Sequence, residues 1–306
     1  MTVLVTGANG HIGSAVVHQL LERGRKVVAV DIVQDPQKLS NVRNQLTYIQ
    51  ADVCDLSLML SALTSHAVKE IYHLGAMLSS VSEKQHWKSF QTNVAGTMQL
   101  FELAITSGVK KFFFASSRGT FGRTPDRLIL DTSQQLPTHF YGWGKLYCEG
   151  IGGWHHINRG LDFRCLRYPT IVGPNIRTEG HWAPAMIEDV IAGKEHRSIY
   201  GNAGSVGFFL HIEDAARATL DLMAAPSEKI ISRVYNVAGL QQATTARQLA
   251  DRLNERFVNA KITLAEAQEK KHTISYVEFR DEAARAEWNW APRYGTLDAL
   301  IDKFAM

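Results

Sequence analysis

Residues 3–13 read Val3-Leu4-Val5-Thr6-Gly7-Ala8-Asn9-Gly10-His11-Ile12-Gly13, and this stretch decides the fold. Four residues of strand character run directly into three glycines, and an amphipathic helix follows through Leu21 to a stop at Gly24. Glycines at this spacing let the chain turn sharply and approach a pyrophosphate closely, with the first amides of the helix aimed at its negative charge. A second strand, 27–30, ends in Asp31, eighteen positions past Gly13. A carboxylate there accepts hydrogen bonds from both adenosine-ribose hydroxyls and repels a 2′-phosphate, which favours NAD over NADP. A simple turn or a strand-end cap explains either feature alone. The order strand, glycines, helix, strand, acid explains both.

Outward from this unit, β-rich runs at 3–6, 27–31, 46–50, 70–74, 111–115 and 162–168 alternate with helical stretches. That alternation predicts an α/β fold, a Rossmann-type doubly wound parallel sheet. Phe90, Val94, Met98, Phe101 and Ile105 recur three and four apart and predict the apolar face of a long helix ended by Gly108. Beyond Pro174 the pattern is less regular, with helices expected near 183–192, 213–224, 244–257 and 281–288 and a strand at 234–237. The expected organisation is an NAD-binding domain over 1–173 that carries the catalytic residues. A smaller α/β lobe, 174–306, is mainly substrate-binding, with about 206–240 returning to the first domain.

Composition excludes several classes. The chain has 306 residues, enough for a complete globular protein, and a net charge of only +3 with no basic stripe, which argues against a nucleic-acid partner. No apolar run approaches the roughly 18 residues of a membrane span, and the opening strand leaves no room for a signal peptide. Cys54, Cys148 and Cys165 lack Cys-x-x-Cys spacing and fit a reducing compartment, so a cytoplasmic protein is expected. His155 and His156 are adjacent and point to different sides of a helix, so no metal site is expected. His211 beside Glu213 and Asp214 reads as a strand-to-helix junction with capping acids, and Trp288 and Trp290 as anchors of the final helices.

The chemistry is carried by Tyr141-Gly-Trp-Gly-Lys145. A phenol and an ammonium four residues apart share one helix face, and the cation is expected to bring the phenol's titration closer to neutrality. Ser116 and Ser117 lie just past the strand 111–115, at the sheet's carboxyl edge where doubly wound folds bind ligands. A serine hydroxyl there can hold a substrate oxygen. Asn93, on the preceding helix, is a candidate to support Lys145 through water, or a polar helix residue without a catalytic role.

The glycine pattern, Asp31, Asp52-Val53, His73-Leu74-Gly75-Ala76, Asn93, Ser116-Ser117, Tyr141 with Lys145, and Arg167-Tyr168-Pro169 together resemble the extended short-chain dehydrogenase/reductase family, the NAD-dependent epimerase/dehydratase proteins, over the full chain. The resemblance implies NAD held by Gly7, Asn9, Gly10, His11, Ile12 and Gly13 at the pyrophosphate and by Asp31 and Ile32 at the ribose. It implies Asp52 and Val53 at the adenine, and Leu74, Gly75, Ala76, Asn93, Ala115, Tyr168, Pro169 and Ile171 along the rest, with the nicotinamide beside Tyr168 and Pro169. It further implies that Lys145 binds the nicotinamide ribose, Tyr141 transfers the proton and Ser117 orients the reacting oxygen. A homodimer formed through helices near 90–107 and 141–159 also follows from the resemblance.

Within the family, residues 73–80, 110–117, 222–230, 235–239 and 286–290 resemble segments of L-threonine 3-dehydrogenases. One loop departs: that subgroup has a Thr-Thr-Asp-Tyr-like run where this chain has Glu179-Gly180-His181-Trp182. A histidine in place of a carboxylate weakens ammonium binding and points to another secondary alcohol, a hydroxy acid or an aromatic carbinol. Ser79, Ser80, Ser117, Arg118, Thr170, Gly180, His181 and Trp182 are the candidate substrate contacts. Arg118, unusual after the serine, faces either an anionic substrate group or solvent. The rival reading is a nucleotide-sugar epimerase or dehydratase. Against it, Gly207 stands where such enzymes carry a diphosphate-binding arginine, with Arg177, Arg197 and Arg233 as substitutes to weigh. A non-catalytic dinucleotide sensor is the third reading, disfavoured by the intact Ser117, Tyr141 and Lys145.

Overall fold

The computed structural model describes residues 1–266 and 276–305. Seven strands form the central sheet: β1 (Thr2–Thr6), β2 (Lys26–Asp31), β3 (Thr47–Gln50), β4 (Glu70–His73), β5 (Lys111–Ser117), β6 (Asp162–Tyr168) and β7 (Val234–Asn236). They pair in the order β7-β6-β5-β4-β1-β2-β3, all parallel. The chain leaves β1 toward β2 on one side and returns to β4 on the other. The connections at the carboxyl ends of β1 and β4 therefore diverge, and this divergence opens a crevice for a ligand.

Alternation along each strand builds two cores. Val3, Val5, Ala29, Phe113 and Leu166 face one layer, with α1 (His11–Glu22) and a helix near the sheet's return, Ile212–Ala224, supplying Val16, Val17, Leu20, Ala215, Ala218 and Leu222. Leu4, Val28, Val30, Phe112 and Phe114 face the other layer. There α2 (Leu56–Ser65), α3 (Gly96–Thr106) and α4 (Phe140–Arg159) contribute Met59, Leu63, Leu100, Phe101 and Cys148. Each buried aromatic side chain stabilises this arrangement by about 1.5–3 kcal/mol. A third cluster, with Trp182, Met186, Ile187, Phe209, Leu249 and Leu253, lies under α5 (Ala183–Ile191), α6 (Ala246–Arg256) and α7 (Leu297–Ala305).

The long helix expected around 90–105 is not regular. A four-residue turn, His86–Ser89, continues through a π-helical stretch, Phe90–Ala95, before α3 begins. The extra residue in that turn rotates Phe90 off the apolar face. Phe90 is 40% exposed and stacks on Trp87, with ring centroids 5.6 Å apart, whereas Val94 and Phe101 are buried as the periodicity requires. The junction at 211 also differs from expectation: the His211 ring itself accepts from the Glu213 amide at 3.3 Å, while the Asp214 carboxylate is fully buried and accepts the amides of Arg293 and Tyr294. Trp288 and Trp290 are buried, and the Trp290 indole donates to Asp281 at 3.0 Å.

Candidate active site

The crevice is shaped by the absence of side chains. Gly7 has φ +64°, and a Cβ there would stand 2.7 Å from the Gly75 backbone. At Gly13 a Cβ would stand 2.0 Å from the Gly7 carbonyl oxygen, so only glycine lets α1 start this close to β1. Gly10 caps α1 with no side-chain hydrogen bond, so its first amides point outward. Asp31 sits at the end of β2 and accepts the amides of Asn9 (2.8 Å) and Val33 (3.2 Å), which hold the carboxylate at the crevice rim beside exposed Ile32. Asp52 accepts the Cys54 amide at 2.9 Å, and Val53 packs below Gly75. Lys38 donates to His11 Nδ1 at 3.0 Å, and burial, then this cation, holds His11 below the ordinary histidine range.

A chain of hydrogen bonds that the sequence did not reveal fixes the Gly75 loop. The Gly75 amide donates to Thr6 Oγ1 (3.2 Å), and Thr6 Oγ1 lies 2.7 Å from His73 Nδ1. His73 Nε2 lies 2.9 Å from Thr97 Oγ1, which donates to the Asn93 carbonyl at 2.8 Å. Burial, reinforced by Lys145, pushes His73 down to about 3, so the ring is neutral. Because Thr97 spends its proton on Asn93, Nε2 carries the ring's hydrogen and Nδ1 accepts from Thr6.

Asn93 closes the same loop from the other side. Its amide oxygen accepts from the Met77 amide (2.8 Å) and its nitrogen donates to the Met77 carbonyl (2.9 Å). The side chain is thereby engaged with the 75–77 loop and makes no direct hydrogen bond to Lys145 among the described residues. That lysine instead donates to the Ala115 carbonyl at 2.6 Å.

At the carboxyl end of β5 the two serines have separate fates. Ser116 is buried and donates to Glu149, which is paired with Arg167 at 2.8 Å; Arg167 also donates to the carbonyl of Asp131 (2.8 Å) and to Gln135 (3.1 Å). Ser117 is half-exposed, and its Oγ accepts the Gly119 amide at 3.0 Å. The hydroxyl proton of Ser117 is thus available to a ligand oxygen. From α4, which His139 caps, Lys145 Nζ lies 5.5 Å from the Tyr141 ring centroid and 4.6 Å from that of Phe114. Burial pushes the lysine down to about 8. The expected lowering of the phenol is not what the folded chain shows: burial raises Tyr141 above its ordinary value, and the neighbouring ammonium does not offset it.

Tyr168 turns its ring into the core, where the hydroxyl bonds to Thr219, so what it presents at the strand end is main chain. Pro169 is buried after it, and Thr170 and Ile171 are half-buried on a short strand, Thr170–Val172, that pairs with Phe209–His211.

The candidate substrate residues gather on both walls. Ser79 and Ser80 open a short helix, Ser79–Ser82, at the rim. Opposite, a cavity of about 170 Å³ is lined by Arg118, Thr170, Gly180, His181 and Trp182, with Gly207 and Phe209 behind. Arg118 is not turned to solvent: its guanidinium donates to Tyr276 Oη at 2.7 Å and lies 5.4 Å from the Phe208 ring centroid. Tyr276, 158 positions away, left no signal in the sequence. Burial, then Arg118, holds His181 below its ordinary range. Trp182 is 8% exposed and meets Phe209 edge-on at 5.4 Å, so its ring is chiefly core. The place of a side chain at position 207 is taken by the Phe209 ring, 2.2 Å from where a Cβ would stand. Arg177, Arg197 and Arg233 are paired with Glu188, Glu195 and Asp162.

Comparison with known proteins agrees with this geometry. The model of the "NAD dependent epimerase/dehydratase family" matches residues 3–238, and the chain belongs to that family, whose cofactor is NAD. Among relatives, the mitochondrial L-threonine 3-dehydrogenase of Sus scrofa is 29% identical over 296 residues, covering 94% of this chain and 78% of its own. The UDP-glucose 4-epimerase of Halalkalibacterium halodurans is 30% identical over 233 residues, covering 71% of this chain and 69% of its own. Among solved structures, the L-threonine dehydrogenase of Cupriavidus necator in its holo form superposes with a TM-score of 0.90 at 27% identity, covering 100% of this chain and 99% of that one. The glycine cradle, which a single Cβ would fill, fits the dinucleotide.

Proposed function

We propose that this chain is an NAD-dependent oxidoreductase that oxidises a secondary alcohol, or reduces the corresponding ketone, in the manner of the L-threonine 3-dehydrogenases but on a different substrate. The observation that supports the reading is that Lys145, 5.5 Å from the Tyr141 ring, donates to the Ala115 carbonyl at the end of β5, two positions before the half-exposed Ser117. When bound, NAD would supply the hydride acceptor. Ser117 donates its hydroxyl proton to the substrate oxygen and orients it. In ketone reduction the protonated Tyr141 phenol, the form that burial favours, gives its proton to the substrate oxygen; in oxidation its phenolate form takes the hydroxyl proton as the carbinol C–H bond breaks and the carbonyl forms. Lys145 holds the nicotinamide ribose and supplies the cation that the buried phenolate needs. The test is NADH formation when protein and NAD are offered L-threonine, then hydroxy acids, polyols and aromatic carbinols. Turnover that disappears in Tyr141→Phe is expected. A full panel without turnover would favour the sensor reading.

Sugar-nucleotide epimerisation is the second reading. What speaks against it here is Gly207 backed by the Phe209 ring, together with the three candidate arginines already paired to acids. Conversion of UDP-glucose by the purified protein would reverse this ordering.

We also propose a cytoplasmic homodimer built on the His86–Thr106 stretch and α4. Trp87, Phe90, Trp143, Tyr147, Trp154 and Ile157 are 40% to 81% exposed on these helices, and exposed aromatic side chains in such number mark an association surface. The cytoplasmic placement rests on three free cysteines, and no described helix is long and apolar enough to cross a membrane.

A further inference from the structure

The cavity beside Ser117 has an uneven supply of charge. Its only charged lining group is Arg118, and no carboxylate lines it among the described residues. Arg118 makes no ion pair with any described acid; the one side-chain hydrogen bond of its guanidinium among the described residues runs to a phenol oxygen, Tyr276 Oη, and its Cζ lies 5.4 and 5.8 Å from the ring centroids of Phe208 and Tyr276. A guanidinium set beside a stacked pair of rings and oriented by one hydroxyl is fixed in direction but short of an anion. His181, on the same wall, has a buried Nδ1 with no hydrogen-bond partner among the described residues. The acids closest to the rim are engaged elsewhere: Glu83 accepts the Tyr141 amide at 3.4 Å, and Glu179 pairs with Lys84 at 3.2 Å.

We propose that the substrate carries a carboxylate and no ammonium, with the carboxylate held by Arg118 and His181 and the carbinol on Ser117 and Tyr141. Arg118 directly follows Ser117, so one chain turn presents both the oxygen-orienting hydroxyl and the anion-binding fork. An ammonium entering this cavity meets a cation and no counter-charge, and its desolvation goes uncompensated. Thr170 supplies a neutral hydroxyl, and Trp182 and Phe209 an apolar floor, which suits the carbon skeleton of a hydroxy acid. The proposal rests on the oxidoreductase reading and specifies its substrate class.

Three probes share a CH(OH)CH3 group and differ in the charged groups they carry beyond it: 3-hydroxybutyrate has a carboxylate alone, L-threonine a carboxylate and an ammonium, and 1-amino-2-propanol an ammonium alone. With NAD-loaded protein, kcat/KM is expected to fall in that order, with 3-hydroxybutyrate about 10–100-fold above 1-amino-2-propanol, the size of one charge-assisted hydrogen-bonded contact. Arg118→Gln should abolish that preference chiefly through KM, and Arg118→Lys should restore part of it. NADH binding and the melting temperature report whether each variant is folded. L-threonine equal to or better than 3-hydroxybutyrate, or an unchanged preference in folded Arg118→Gln, overturns the proposal. Should no probe be oxidised, calorimetry of the same probes on NADH-loaded protein decides separately. Carboxylate binding that Arg118→Gln removes upholds the anion site while the oxidoreductase reading fails. Absent or equal binding of all three removes the anion site as well.

Discussion

Lys145 Nζ donates to the carbonyl oxygen of Ala115 at 2.6 Å, tying α4 to the end of the strand that presents Ser117. The bond spans 30 positions of sequence and sets where the lysine stands between the cofactor crevice and Tyr141. It also leaves a cation buried next to apolar rings.

The lysine makes stability depend on pH. Its pKa is lowered from 10.5 to about 8 in the folded chain, so the unfolded chain binds the proton more tightly. Stability from this group is therefore lowest below about pH 8 and rises as pH increases toward the unfolded value, by at most about 3 kcal/mol. Urea unfolding of the cofactor-free protein should show this rise between neutral and alkaline pH, and Lys145→Met should lack it. A parallel dependence in both proteins would contradict the assignment.

Tyr141→Phe should lower kcat by about 10²–10⁴-fold, the usual contribution of a positioned acid or base, while the NADH dissociation constant stays within a few-fold. Lys145→Ala should impair both quantities. Steady-state kinetics with NADH fluorescence titration separates the two roles, and equal loss of NADH binding in the tyrosine variant would dissolve the distinction.

Gly13→Ala places a Cβ 2.0 Å from the Gly7 carbonyl oxygen, which neither backbone can evade without moving the loop or α1. NADH affinity is expected to drop more than about tenfold because the amides that meet the pyrophosphate move with that loop. Fluorescence titration measures this directly, and near-wild-type affinity would mean the loop yields elsewhere.

Asn93→Ala leaves the Met77 amide and carbonyl without their partners at 2.8 and 2.9 Å. A loss of about 1–3 kcal/mol of stability is expected in denaturant titration. Hydrogen exchange should rise at Met77 and Gly75 before it rises in the sheet. Were Asn93 a support for Lys145 instead, exchange would stay unchanged at Met77 and the apparent pKa of activity would move.

Trp87→Glu with Ile157→Lys, on helical surfaces 71% and 81% exposed, should shift a dimer to monomer in sedimentation velocity without altering the melting of the monomeric unit. A wild-type protein that already sediments as a monomer would remove the homodimer proposal.

Much of the fold was legible in the chain because it depends on local pattern. Period-two runs marked the buried strands, Gly7, Gly10 and Gly13 marked the one turn only glycine can make, and Asp31 marked the next strand end. Tyr141 and Lys145 share a helix face by spacing alone, and Ser117 was selected over Ser116 only by resemblance. The folded chain supplied the physical reason: Ser116 is buried against Glu149, whereas Ser117 remains half-exposed.

The remainder depended on partners remote in sequence. Asn93 closes on Met77 because a π-helical turn changes the helix phase, and no periodicity records which carbonyl an amide will meet. Tyr168 turns inward to Thr219, and Arg118 turns to Tyr276 across 158 positions. The direction of the phenol's titration also reversed, because spacing reports a neighbouring charge but not the water that packing removes. Sequence alone therefore determined the strand order's building blocks and the dinucleotide cradle, and it put Tyr141 and Lys145 on one helix face, all set by contacts within a few residues. Tertiary structure alone decided which serine is free, what Asn93 holds and where Arg118 points, since burial and long-range pairing exist only once the chain has closed.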